Sequence, residues 1–300
     1  MRTLSMNHQE MTDRIANGQG FIAALDQSGG STPKALRGYG VSDDSWSNED
    51  EMFARIHAMR SRIVESPCFG CGKVLGAILF EKTMDGESGG KPVPDRLKER
   101  GIVPFLKVDK GLEDEANGVQ MMKPMPDLES LLERAKAKGV FGTKMRSVIK
   151  RNEPAGIKAI VRQQFAEGAR ILAAGLVPII EPEYDIKAED RAEGEKILLE
   201  AIEEGLDALP ADQKVMLKLS IPAEAGLYSG LVDHPRVLRV VALSGGYSTD
   251  EACEKLAQNP GMIASFSRGL LQDLRATQSD EEFDATLGAA IDRIHAASMA

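Results

Sequence analysis

Eight short apolar runs, at 21–26, 75–80, 104–109, 140–146, 176–183, 215–220, 238–244 and 262–268, recur along the 300 residues, and charged segments of helical period separate most of them. In 127–138, Leu128, Leu131, Leu132 and Ala135 follow the i, i+3, i+4, i+7 spacing of one helix face, and Gly139 supplies a C-terminal stop. Further helices are read from Ser47, with Asp50 three residues on as a variant capping box, and over 157–174, 189–204, 249–258 and 280–297. Strand and helix in alternation require a parallel sheet, because parallel neighbours can be joined only by a crossover. Eight such units favour a closed (β/α)8 TIM barrel, one α/β domain over 1–300, above an open sheet. The weakest unit is 221–235, which has several glycines and prolines and a poor helical pattern.

An apolar fraction of 42% and a charged fraction of 28% suffice for a sizeable core. A formal charge of -9 repels polyanions over most of the surface, which argues against nucleic acid as a partner while leaving room for a small anion in a locally positive pocket. Residues 1–10 contain no apolar leader core, and no apolar run approaches bilayer length, so neither export nor a membrane is expected. The cysteines Cys68, Cys71 and Cys253 are too few for a disulfide framework and fit a reducing, cytoplasmic setting.

Charge gathers at the C-terminal ends of the strand-like runs: Asp26, Lys107 and Asp109, Lys144 and Arg146, Glu181 and Glu183, Lys218, Arg268. A barrel carries its active site at that end. Residues two apart share a strand face, so Lys107 with Asp109, Lys144 with Arg146, and Glu181 with Glu183 can look into the mouth together. Any one pair alone reads equally well as solvated rim charge. Six strands in agreement argue for a site.

These residues lie in stretches that resemble the class I fructose-bisphosphate aldolase family in its shorter bacterial form. The stretches are Gly20-Phe-Ile-Ala-Ala-Leu-Asp-Gln-Ser-Gly-Gly-Ser31, Lys107-Val-Asp-Lys-Gly111, Gly142-Thr-Lys-Met-Arg146, Val177-Pro-Ile-Ile-Glu-Pro-Glu183, Met216-Leu-Lys-Leu-Ser220, Leu243-Ser-Gly-Gly246 and Ser265-Phe-Ser-Arg268. Each is a weak pattern alone; together, in family order, they cover nearly the whole chain. The resemblance implies a TIM barrel that cleaves fructose 1,6-bisphosphate in glycolysis, with Lys218 as the Schiff-base lysine and Glu181 as acid/base. It also implies Glu183 as a second carboxylate, and Asp26 and Lys144 as further catalytic groups. Phosphate contacts are implied at Ser28, Ser31, Lys107 and Arg146 at one end of the substrate, and at Ser244, Gly245, Ser265 and Arg268 at the other. Gln27 and Ser267 depart from the animal enzymes, which carry glutamate and glycine there. The chain closes at Ala300 without the tyrosine-ended tail that those enzymes use to protonate the enamine.

The chemistry needs these groups. Breaking a carbon–carbon bond beside a hydroxyl requires an electron sink, and a protonated imine on a lysine supplies one. An ordinary lysine, of pKa about 10.4, is neutral in only roughly 4 parts in 10,000 at pH 7. A second cation such as Lys144 would help to keep Lys218 neutral. Glu181 would move protons during carbinolamine dehydration, with Glu183 resisting double ionisation beside it, and Asp26 would take the proton of the hydroxyl at carbon 4. Ser244-Gly245-Gly246 can offer backbone N–H groups to a phosphate or form a plain turn, and Arg268 favours the phosphate reading.

Cys68-Phe-Gly-Cys71 has C-x-x-C spacing, but Cys253 and the histidines His8, His57, His234 and His295 are too scattered to complete a zinc site, so no metal is expected. Gly18-Gln-Gly20 and Gly70-Cys-Gly72 complete no dinucleotide fingerprint, so no cofactor is expected either. Glu113-Asp114-Glu115 and Asp43-Asp44 read as loops or helix starts. The partner expected is a phosphorylated sugar, with a homo-oligomer possible. Alternatives are another Schiff-base sugar-phosphate barrel such as a transaldolase, and a sugar-phosphate-binding barrel without turnover.

Overall fold

A computed structural model of the chain describes residues 6–300; of the ten residues read for a leader, 1–5 lie outside these. Eight parallel strands form the barrel: β1 (Phe21–Leu25), β2 (Val74–Leu79), β3 (Val103–Lys107), β4 (Gly142–Ile149), β5 (Val177–Tyr184), β6 (Val215–Ser220), β7 (Val237–Leu243) and β8 (Ile263–Ala264). They pair in that order, each parallel to the next. The ring closes as β8 comes against β1, without a registered ladder there.

Parity along the strands builds the interior. Ile22, Val103, Phe105, Ile179, Met216, Val241 and Ile263 pack together inside the ring, and Met11 and Ile15 of the helix His8–Asn17 plug its lower end. The intervening residues, such as Phe21, Ala23, Leu25, Leu106, Ile180, Leu217 and Leu219, join the larger apolar layer between strands and helices. On β3 the interior face runs Val103, Phe105, Lys107 and then Asp109; on β5 it runs Ile179, Glu181, Glu183; on β6, Met216 and Lys218. The same face is therefore apolar at the plugged end and charged at the open one.

Three readings are adjusted. The helix expected from Ser47 is Glu49–Glu65, capped by Asn48, whose side chain accepts from the Glu51 N–H at 2.9 Å. Glu51 reaches back to the Ser47 N–H at 2.7 Å, so the cap sits one residue later than read, where the longer acidic side chain can span it. The strand expected over 262–268 is only Ile263–Ala264, and Arg268 opens the short helix Arg268–Leu271. β4 runs on to Ile149 because Val119–Gln120 pairs antiparallel with its end. The weak unit 221–235 holds only the four-residue helix Ser229–Val232. No helix among the described residues is long and apolar enough to cross a membrane.

Candidate active site

The open end of the barrel holds a cavity of about 1040 Å³, and every residue to which the family resemblance gives a role lines it: Lys218, Glu181, Glu183, Asp26 and Lys144; Ser28, Ser31, Lys107 and Arg146; Ser244, Gly245, Ser265 and Arg268. Seven lysines and arginines against six carboxylates line it, a local balance unlike the acidic chain as a whole. An anion can therefore enter.

At its floor three strand ends converge on one carboxylate. Lys144 Nζ lies 2.9 Å from Asp26 Oδ2 and 2.9 Å from Glu181 Oε2, and Lys218 Nζ lies 3.2 Å from Glu181 Oε1. All four residues are buried. Burial alone would strip Lys144 of its proton, but Asp26, Glu181 and Asp109 outweigh it and hold the amine above the usual lysine range. Burial would likewise raise the Asp26 carboxyl, yet Lys144, Lys218 and Lys107 together keep it well below the usual carboxylate range. Lys144 is thus a fixed cation beside Lys218.

Local backbone design explains how Glu181 comes to face both lysines. The β5–β6 ladder stops at Ile180 and Leu217, just short of Glu181 and Lys218. Buried Gln164, from the helix Pro154–Ala173, takes over by accepting from the Glu181 N–H at 3.2 Å and donating to its carbonyl at 3.3 Å. Ser220 Oγ bridges the parted strands by donating to Tyr184 O at 2.7 Å and accepting from Tyr184 N at 3.0 Å. The splay leaves room between the strands at the Glu181 and Lys218 side chains.

Away from the floor, Lys107 Nζ pairs with Asp109 Oδ1 at 2.7 Å, and Arg146 Nε pairs with Glu183. Glu183 therefore faces a guanidinium of its own. Ser31 Oγ donates to Ser28 O at 2.7 Å and accepts from Ser28 N at 2.9 Å, so its proton is held within the loop, and of these two serines Ser28 alone has a hydroxyl without a partner among the described residues. In the Ser244 turn, the N–H groups of Gly246 and Tyr247 donate back to Ser244 O at 2.6 and 3.0 Å, leaving the Gly245 N–H free of any described backbone partner. Gly245 and Gly246 both take positive φ, 60° and 136°, which glycine adopts without strain. Among the described residues, Arg268 has no carboxylate at ion-pair distance and the buried Ser265 Oγ has no hydrogen-bond partner.

The family model for class I fructose-bisphosphate aldolase matches residues 7–218. The chain belongs to that family. Fructose-bisphosphate aldolase from Plasmodium falciparum, crystallised with TRAP and a small-molecule inhibitor, is similar in fold: 19% identity, 97% of this chain and 94% of that one covered, TM-score 0.76. A protein of Corynebacterium glutamicum is more loosely similar, at 15% identity, coverage of 99% and 94%, and TM-score 0.52. The family match runs from the N-terminal helix through Lys218 and takes in Asp26, Lys144 and Glu181, while 244–268 lies beyond it. Family membership makes this chain a carbon–carbon lyase of the aldolase kind, acting on phosphorylated sugars.

Sequence reasoning missed several residues. Gln164 and Arg60 each sit at an apolar-face position of a helix, among Ile157, Ile160, Val161 and Ile171 in one case and Phe53, Ile56 and Ile63 in the other. A polar residue in such a stripe is the signal that could have found them. Lys34, on the cavity wall, carries none. Cys68 and Cys71 do not line the cavity; both are free thiols, and no three described His, Cys, Asp or Glu side chains are placed to hold a metal ion.

Proposed function

We propose that the chain is a metal-independent fructose-1,6-bisphosphate aldolase, which cleaves its substrate reversibly to dihydroxyacetone phosphate and glyceraldehyde 3-phosphate through an imine on Lys218. The carrying observation is the shared carboxylate: Glu181 touches Lys218 with one oxygen and Lys144 with the other. Transfer of the Lys218 proton to Glu181 leaves a nucleophilic amine next to a carboxylic acid. The amine adds to the ketone at carbon 2, and Glu181 returns the proton to the carbinolamine oxygen, which leaves as water. The imine then draws the electron pair of the bond between carbons 3 and 4. Asp26, held ionised by Lys144, accepts the hydroxyl proton at carbon 4, and the aldehyde departs. The enamine left on Lys218 is protonated at carbon 3, and hydrolysis frees the amine.

Cations toward both ends of the cavity, Lys107 and Arg146 on one side and Arg268 on the other, support a substrate with two phosphates. The test is cleavage of fructose 1,6-bisphosphate against one-phosphate ketoses, with and without a chelator. The reading requires cleavage of the bisphosphate at the higher kcat/KM, unchanged by chelation. Transfer of a three-carbon ketol unit between aldehydes without net cleavage would favour a transaldolase, and tight binding without turnover a binding barrel.

A further inference from the structure

At the Arg268 end of the cavity a chain of hydrogen bonds has its direction fixed by what each group can donate. Arg60 is 1% exposed and has no carboxylate at ion-pair distance among the described residues. It donates to Thr83 Oγ1 at 2.7 Å, and to Gln27 O and Gln27 Oε1 at 2.6 and 3.2 Å. A guanidinium only donates and a backbone carbonyl only accepts, so the Gln27 amide has one orientation: Oε1 toward Arg60, and Nε2 toward Ala24 O at 3.0 Å and Ser267 Oγ at 2.5 Å. Ser267 Oγ is therefore already an acceptor. Its single proton goes to no described group, although the side chain lines the cavity between Ser265 and Arg268.

Around it stand other donors without acceptors: the Ser265 hydroxyl, buried and unpartnered, the Gly245 N–H, and the Arg268 guanidinium. Of this set Ser265 alone is buried, and its unmade hydrogen bond is the costly one, while Ser267, Gly245 and Arg268 face the open cavity. A phosphate, with several acceptor oxygens and no need to donate, completes it.

We propose that Ser267 is a phosphate-binding residue, its hydroxyl proton turned onto a phosphate oxygen by the Arg60–Gln27 relay, with Gln27 and Arg60 as positioning residues. The assignment rests on the phosphorylated-ketose reading and deepens it, because it names a side chain that tells a phosphate-bearing end from a bare hydroxyl. It also gives a shared purpose to the two positions at which this sequence departs from the animal pattern.

Calorimetric titration of the full chain with inorganic phosphate tests it, on wild type, Ser267→Ala, Ser267→Thr, Gln27→Met and the Ser267→Ala/Gln27→Met double variant. Loss of one hydrogen bond to a charged acceptor predicts about tenfold weaker phosphate binding in Ser267→Ala. Ser267→Thr keeps the hydroxyl and stays within about threefold of wild type. Gln27 acts through Ser267, so the double variant binds no more than about twofold weaker than Ser267→Ala alone. In fructose 1,6-bisphosphate cleavage, the KM of Ser267→Ala rises by a similar factor while kcat holds within about twofold. Wild-type phosphate affinity in Ser267→Ala, no phosphate binding by wild type, or losses that multiply in the double variant each overturn the assignment. Phosphate titration needs no turnover, so these results leave the ketose reading standing, whereas a wild type that cleaves no ketose sinks that reading.

Discussion

Replacing Lys144 with methionine removes the ammonium shared by Asp26 and Glu181 while nearly conserving volume, so the cost is mainly electrostatic. The side chains of Lys144, Asp26 and Glu181 are 5%, 9% and 3% exposed. Truncating one partner of a pair buried to that degree costs about 3–5 kcal/mol, against about 1 kcal/mol or less at a surface. Glu181 keeps Lys218 at 3.2 Å, so Asp26 bears most of the loss. In wild type the Asp26 pKa lies below its unfolded value, about 3.9. It therefore adds stability above that pH, which is lost as the pH falls through the depressed folded pKa. With Lys144 gone, the largest attraction is lost while burial, the strongest single influence, remains, so the folded pKa rises even though Lys218 and Lys107 still lower it. The ionised form is then less favoured at neutral pH, and protonation on acidification relieves part of that cost. Urea unfolding of both proteins at pH 7 and pH 4.5 should show a gap of about 3–5 kcal/mol at pH 7 that narrows at pH 4.5. A gap under about 1 kcal/mol at pH 7, or an equal gap at both values, refutes the reasoning.

Glu181→Gln should lower kcat by a factor of about 10²–10⁴, with imine formation slowed in stopped-flow trapping, because the group that hands the proton to the carbinolamine oxygen is gone. Asp26→Asn should lose cleavage to a similar degree yet still trap dihydroxyacetone phosphate as a reduced adduct, since that step needs no proton from carbon 4. Gly194→Ala should destabilise the fold by about 1–3 kcal/mol, because its Cβ would lie 1.8 Å from Tyr184 Oη. That hydroxyl is buried without a partner, so Tyr184→Phe in the same chain should recover part of the loss in a thermal melt. Asn48→Ala should cost about 1 kcal/mol by loss of the cap on Glu49–Glu65, measured by urea unfolding.

Much of the barrel was legible because its signal is local. Strand parity and strand-end charge both follow from a two-residue period, and Val103, Phe105, Lys107 and Asp109 show the interior face changing from apolar to charged within one run. Less legible were features set by partners distant in sequence. Arg268 was read as a strand end, but β8 meets β7 at only two positions before the chain turns into a helix. Ser31 carries the residue type of a phosphate contact, yet its proton is used three residues away. Gly246 looked like an open N–H donor until the turn folded that group onto Ser244 O. Gln27 and Ser267, 240 positions apart in the chain, could not be paired from sequence alone.

The most direct test of the account is reductive trapping: borohydride added during turnover of fructose 1,6-bisphosphate, with and without chelator, followed by peptide mass spectrometry. The account predicts one reduced ketose adduct, on Lys218, in equal yield under both conditions, and none in Lys218→Met, which stays folded but does not turn over. An adduct on Lys144 or elsewhere, or an adduct and activity abolished by the chelator, would contradict it.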